Sequence, residues 1–391
     1  MPNIFDYLRW RGDLTLSADP FNEVDNLVLA ELAYTQFGGI VPGDGTGVPL
    51  REVRDEFFTL NSRAEIERSD DVLIRTALLM DGMVTGDRFG DILMSDYVNI
   101  VDTEADMQMS AVTYHLGDGS AYIAFRGTDS TVVGWKEDFI MSYLPETGGQ
   151  REAIRYLDRV GAGLDGPLRI GGHSKGGNFA VYASAFCSPE VQDKIIEIYT
   201  NDGPGFRHEV MESEEYRGII GKVRSIVPES SVVGMLLRSG ADHQIVASSG
   251  KFLQQHDGMT WQVRRNKFVQ AKHSDVGRFI RDTQKDWLSK LDDDTREFFV
   301  NELFSILTST GVDTFYEMKE QKFKTLERIL STAQDLSKHK QKEMLRVAGE
   351  LIQSGMEMAR RSREDNMRDR NSQTDADEDV RTTEYAERGF E

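Results

Sequence analysis

The chain is short of several things that define common protein classes. It has one cysteine, Cys187, in 391 residues, which excludes an intramolecular disulfide framework. Its place at the end of an apolar segment predicts a buried small hydrophobe. No apolar run reaches about 18 residues, so no transmembrane helix is expected. Met1 to Trp10 contains no basic segment followed by an apolar one, so a signal peptide is not expected and a cytoplasmic location is. Positive charge is also scarce. Lys and Arg number 46 against 66 Asp and Glu, a net charge of −20, which disfavours nucleic acids and anionic membrane surfaces as general partners. There is no internal repeat. Apolar content is that of an ordinary globular protein, and the length suits one large α/β domain plus an appendage.

What is present centres on Leu168 to Gly177. Gly172-His173-Ser174-Lys175-Gly176 fits the G-x-S-x-G nucleophile elbow, a tight turn that joins a strand to a helix and exposes a strained serine above a sheet. Leu168 and Ile170 after Gly166-Pro167 predict a short buried strand. Asn178, Phe179, Ala180, Val181, Ala183, Ala185 and Phe186 predict a helix of small and apolar residues that lies close to a sheet.

The remaining pattern extends this to a whole domain. Residues 20–37 read as an amphipathic helix with Asn22 as cap, and residues 39–49 as a loop. A polar, helix-prone stretch follows, ending in the apolar residues 72–79. Ala111 to Leu116 and Ala121 to Phe125 flank Gly117-Asp118-Gly119 as a hairpin. Residues 151–161 read as a helix, and strands are expected at Lys194–Thr200, Lys222–Val227 and Ala241–Ser248. Trp261 to Phe268 is expected to finish the sheet. Alternating strands and helices predict a mostly parallel sheet covered on both faces. Beyond residue 275 only helical patterns remain. They are built on Phe298, Phe299, Leu303, Phe304 and Leu307, then on residues 326–336, then on residues 345–352; they either cap the sheet or pair with a second subunit as a homo-oligomer. The expected division is a hydrolase-like domain over 1–275, a helical extension over 276–360 and a charged disordered tail over 361–391.

An elbow serine needs a histidine base, an acid to orient it and an oxyanion hole. In α/β-hydrolases the chain order is serine, acid, histidine. Five histidines follow Ser174: His208, His243, His256, His273 and His339. His256 is the preferred base because it lies in a polar turn before a strand-like run; His243, within a strand-like run, is second. His173 reads as structural, its side chain directed away from the oxyanion site. Two acids are credible. Asp202 stands at the C-terminal end of the strand after the elbow helix, where ligands collect in open α/β sheets, and Glu229 follows the next strand. The backbone N–H of Lys175 is the expected first oxyanion donor, and the N–H of Thr128, with its hydroxyl, the second.

These residues resemble class 3 lipases, in particular a bacterial branch of unassigned substrate. Ala124-Phe125-Arg126-Gly127-Thr128-Asp129 with Trp135 and Asp138 is similar to their "FRGT–D…W…D" segment. Gly172 to Gly177 resembles their G-H-S-L-G-G elbow, Tyr199 to Gly205 falls where they carry a "tFGsP" strand, and His256 with Trp261 resembles their late histidine and tryptophan strand. The resemblance covers roughly residues 20–270 and implies an α/β-hydrolase fold. Two departures stand out. The residue after the nucleophile is Lys175 in place of leucine; it is expected to snorkel, its stem packed and its head in water, with help to an anionic substrate group as the alternative. The family's Asp-x-Val-Pro acid segment reads Val227-Pro228-Glu229-Ser230-Ser231 here, which leaves Asp202 and Glu229 both open.

The reading of the sequence is therefore a serine hydrolase for carboxylic esters, acylglycerol or phospholipid among them, that needs no metal or organic cofactor. Residues Val232 to Leu237 are expected either to line an acyl site or a lid or to lie in the core. A thioesterase or acyltransferase uses the same machinery. An inactive scaffold whose C-terminal helices bind a partner is the reading from another class, and peripheral membrane attachment through those helices is a third.

Overall fold

The computed structural model describes residues 1–129, 131–309, 331–332, 336–358 and 360. The expected tail over 361–391, and most of the apolar pattern of residues 326–336, lie outside the described residues.

Eight strands form one sheet in strictly sequential order: β1 (Val48–Pro49), β2 (Leu93–Asp102), β3 (Met107–His115), β4 (Ala121–Phe125), β5 (Leu168–His173), β6 (Ile195–Asn201), β7 (Val223–Pro228) and β8 (His243–Val246). From β1 to β4 the neighbours are antiparallel, and from β4 to β8 they are parallel. The parallel half requires crossovers, and they include the helices Gly148–Ala162 and Lys175–Phe186. The outcome is the mostly parallel, helix-covered α/β fold that the sequence pattern implies.

Two apolar cores sandwich the sheet. One joins the N-terminal helices to the sheet face that carries Val112, Tyr114, Tyr122 and Tyr199. The other lies under the crossover helices around Ile123, Ile170, Phe179 and Ile198, with Cys187 buried at its edge. The N-terminal helix Glu23–Leu32 begins at Asn22, whose side chain accepts from the Val24 and Asp25 N–H groups, and all its residues but the first are buried. Its buried Asp25 is matched inside, accepting from Arg88 Nε at 2.6 Å and from the Tyr7 hydroxyl at 2.7 Å.

Two expectations are corrected. The segment from Trp261 does not add a strand to the main sheet: Val263–Arg264 and Lys267–Phe268 form a separate two-stranded ladder, tied to the chain around β8 by the single bridges Ser248↔Trp261 and Val246↔Gln270. Strand β2 was not foreseen. It carries a register shift between Ser95 and Val98, where Asp96 takes φ 56°, and this bulge breaks the alternation by which a strand is read.

Past residue 275 the helices Asp275–Ser289 and Asp293–Ser309 follow, with a further helix over 338–358. The second packs on the helix Val132–Ile140 through Ile140, Tyr143, Val300 and Phe304, with the Phe139 and Phe304 rings 5.7 Å apart. No helix among the described residues is long and apolar enough to cross a membrane.

Candidate active site

Strand β5 passes into the helix Lys175–Phe186 through one residue. Ser174 adopts φ 57° and ψ −133°, a conformation that costs a non-glycine residue about 1–3 kcal/mol. The turn closes because its glycines have no side chains. A Cβ on Gly172 would meet the Phe125 carbonyl oxygen at 2.5 Å, and one on Gly176 would run into the backbone of Phe125 and Arg126. The Ser174 N–H is fixed on the Asn201 carbonyl at 2.9 Å. Beneath the turn, Asn201 Nδ2 donates to the Gly172 carbonyl at 3.1 Å, and Asn26 Nδ2 donates to Asn201 Oδ1 at 2.9 Å. The N-terminal helix therefore supports the elbow from below. Ser174 is buried as a residue, yet its hydroxyl makes no hydrogen bond among the described residues.

Asp202 follows β6 directly, with its own left-handed φ of 50° and its N–H on the Ile226 carbonyl at 2.8 Å. Its carboxylate is fully removed from water. Oδ1 accepts from the Ser231 hydroxyl and from the Gly234 N–H at 3.2 Å. Oδ2 lies 2.6 Å from His256 Nδ1. Three donors thus converge on one buried acid and offset its desolvation. Because the carboxylate accepts at Nδ1, the neutral His256 ring keeps its lone pair on Nε2.

His256 ends a short helical turn, Phe252–His256, and is held by a layer beneath it. The rings of His173 and His256 lie 4.5 Å apart and 37° from parallel. His173 Nε2 sits 2.6 Å from the His256 carbonyl oxygen, and the Tyr34 hydroxyl 2.9 Å from His173 Nδ1. A carbonyl only accepts, so Nε2 carries the proton and Nδ1 accepts from Tyr34. Burial, with the neighbouring His256 second, pushes the His173 imidazole well below its ordinary range, which keeps it in this neutral form. The buried Trp261 anchors the same turn, its Nε1–H donating to the Gln255 carbonyl at 2.8 Å.

On the other side of Ser174 stands the loop after β4. A Cβ on Gly127 would fall 2.9 Å from Ser174 Cβ and 2.5 Å from the His173 carbonyl oxygen, so only glycine lets Thr128 come this close to the elbow. The Thr128 hydroxyl donates to Asp138 Oδ2 at 2.6 Å. Desolvation raises the Asp138 carboxyl to about 6, against the opposing pull of Lys175, and its Oδ1 is buried without a hydrogen-bond partner.

Lys175 does not snorkel. Its side chain is fully buried and its Nζ donates to Glu137 Oε2 at 3.0 Å and to the Gly134 carbonyl at 3.3 Å. The ammonium is consumed inside the protein, which also removes the alternative that it meets an anionic substrate group. Its partner Glu137, on the helix Val132–Ile140, further accepts the Gln108 N–H at 2.9 Å and the Gly149 N–H at 2.8 Å.

The sequence-derived residues therefore divide. Ser174, Asp202, His256, Thr128 and Lys175 come together around the C-terminal ends of β4, β5 and β6. Glu229 stands apart: its backbone N–H donates to the Val246 carbonyl at 3.1 Å and its carbonyl accepts from the Ser274 N–H at 2.9 Å, while its carboxylate has no hydrogen bond or ion pair among the described residues. His243 bonds Ser225 Oγ through Nδ1 at 2.8 Å. Tyr34, Glu137, Ser231 and Gly234 were missed; each lies more than 25 residues from its partner in the chain, and no local motif marks them. Among the described residues no three His, Cys, Asp or Glu side chains are gathered so as to hold a metal ion.

The sequence model of the Mbeg1-like family matches residues 83–305, more than half of the chain. The chain belongs to the Mbeg1-like family. The matched segment contains Thr128, Ser174, Asp202 and His256 and leaves out the N-terminal helix and Tyr34. No curated protein matches. Among solved structures the chain is similar to the M37 lipase, with 13% identity, a TM-score of 0.36 and coverage of 56% of this chain and 70% of that one.

Proposed function

We propose that this Mbeg1-like chain is a serine hydrolase of carboxylic esters. The observation that carries the reading is the contact between the buried Asp202 carboxylate and His256 Nδ1, 2.6 Å long, beside a serine held at φ 57° on an elbow. A histidine with no acid in reach would have favoured an inactive scaffold; Asp202 is in reach. The resemblance of the Phe125-to-Asp138 and Gly172-to-Gly177 segments to class 3 lipases supports the same chemistry.

In this mechanism Ser174 Oγ attacks the ester carbonyl carbon while His256 Nε2 takes its proton. Asp202 holds the imidazole in the required tautomer and stabilises the imidazolium. The tetrahedral oxyanion is met by the N–H groups of Lys175 and Thr128, each worth about 3 kcal/mol of barrier. The carbon–oxygen bond to the leaving group breaks, and His256 returns the proton to the departing alkoxide. Water, deprotonated by the same nitrogen, then hydrolyses the acyl-serine and restores Ser174. The buried Lys175–Glu137 pair links the elbow to the helix that follows Thr128 and so holds the two oxyanion donors in one frame.

The test is covalent labelling of the full chain by a fluorophosphonate probe. Labelling is expected in the wild type and lost in Ser174→Ala and His256→Ala. Failure to label correctly folded wild-type protein would overturn the reading. A series of p-nitrophenyl and thioester substrates then separates ester from thioester specificity.

A further inference from the structure

A cavity of about 1260 Å³ lies between the segments that follow β6 and β7 and the helix Asp275–Ser289. It adjoins the candidate site, because Gly234, whose N–H holds Asp202 Oδ1, forms part of its wall. Four carboxylates line it, and each is already matched: Glu209 with Arg207 at 3.3 Å, Asp275 with Arg278, Asp282 with Arg281 at 2.9 Å and Asp286 with Lys290 at 2.7 Å. Two cations in the lining are left over. Arg238 and Lys285 have no ion pair or side-chain hydrogen bond among the described residues, and they come from different parts of the chain, the segment after β7 and the helix Asp275–Ser289.

Arg238 is held in place by its backbone. It forms a bridge with Phe206, with N–O distances of 2.7 and 3.3 Å, directly after Leu237 at φ 62°. His243 also lines the cavity. Its Nδ1 is taken by Ser225, which leaves Nε2 as its remaining polar atom. In a chain of net charge −20, unmatched cations around a concavity mark a place where an anion is attracted rather than repelled. A guanidinium and an ammonium from two separate segments suit a phosphate, whose several charged oxygens can accept from both at once. The volume exceeds what a phosphate fills and is somewhat above the usual range of small-molecule sites, about 300–1,000 Å³, so it has room for a phosphate with a sizeable group attached.

We propose that this cavity binds a phosphate-bearing small molecule, its phosphate held by Arg238 and Lys285. This deepens the ester-hydrolase reading, under which the phosphate is the headgroup of the ester substrate, but binding itself needs no chemistry at Ser174.

The experiment titrates the full chain, as wild type and as Ser174→Ala, with inorganic phosphate, glycerol 3-phosphate and a monomeric short-chain phosphatidate in a calorimeter. Saturable binding is expected in both proteins. Binding is expected to be at least about tenfold weaker in the Arg238→Ala/Lys285→Ala double variant. Both residues are exposed, and an unchanged urea midpoint confirms that the variant folds. Phosphatidate bound more tightly than glycerol 3-phosphate identifies a lipid headgroup; equal affinities identify a soluble phosphate ester. The proposal is overturned if none of the three binds saturably, or if the folded double variant binds like the wild type. Binding without fluorophosphonate labelling would leave the site standing and remove the hydrolase reading; labelling without binding would do the reverse.

Discussion

Lys175 Nζ lies 3.0 Å from Glu137 Oε2 with both side chains entirely out of solvent, although the two residues belong to different helices. Removing one member leaves the other as a buried, uncompensated charge. Lys175→Met is expected to cost about 3–5 kcal/mol of unfolding free energy. The double variant Lys175→Met/Glu137→Gln is expected to recover part of that, because the buried charge is gone while the single amide oxygen of glutamine still accepts from one of the two N–H groups, Gln108 or Gly149, that Glu137 holds. Urea denaturation of the four proteins of the cycle measures the coupling; a double variant as unstable as Lys175→Met would show that the charge pairing is not what is lost.

Asp202 and Glu229 separate by mutation. Asp202→Asn presents a donor amide to His256 Nδ1 and favours the wrong tautomer, so kcat on a p-nitrophenyl ester is expected to fall about 10³–10⁴-fold. Glu229→Gln is expected to change kcat/KM by no more than about twofold. The opposite order would reassign the acid.

Ser174 pays for its position in backbone strain. Ser174→Gly removes the side chain that the left-handed conformation penalises, and it is expected to raise stability by about 1 kcal/mol while abolishing fluorophosphonate labelling. Thermal melts beside labelling gels show whether stability and reactivity move in opposite directions. An unchanged or lower melting temperature would mean that the elbow holds no strain at this residue.

The Asp138 carboxyl, raised by burial from 3.8 to about 6, gives stability a defined pH dependence. Between these values the folded protein keeps a proton that the unfolded chain has lost, so stability falls as pH rises from 4 to 6. The contribution is complete below 4 and gone above about 6, a difference of about 2–3 kcal/mol. Asp138→Asn is expected to flatten this part of the profile in urea midpoints measured from pH 4 to 7.

What the sequence revealed was local. The glycines around Ser174, the alternation of β3 and β4, the cap at Asn22 and the placement of Asp202 after an apolar strand all act over a few residues, and the chain displays them directly. What it hid was distant or irregular. Strand β2 is broken by the bulge at Asp96. Lys175 looked like a surface cation because its partner is 38 residues away. His173 read as structural, but what it supports stayed hidden because its contact with His256 spans 83 residues. That His256 bonds Asp202 rests on a contact across 54 residues that no spacing rule encodes.

The hydrogen bond from Tyr34 to His173 sets the smallest fragment worth expressing. Tyr34 and Asn26 precede residue 83, where the family match begins, and both reach the elbow or the layer under His256. A fragment cut at the matched boundaries would keep every residue of the proposed triad yet lose the helix that fills the sheet face beneath it. A fragment for assay or crystallisation therefore needs to start upstream of Asn22, the cap of that helix, and homologues lacking a counterpart of this helix would have to brace their histidine by other means.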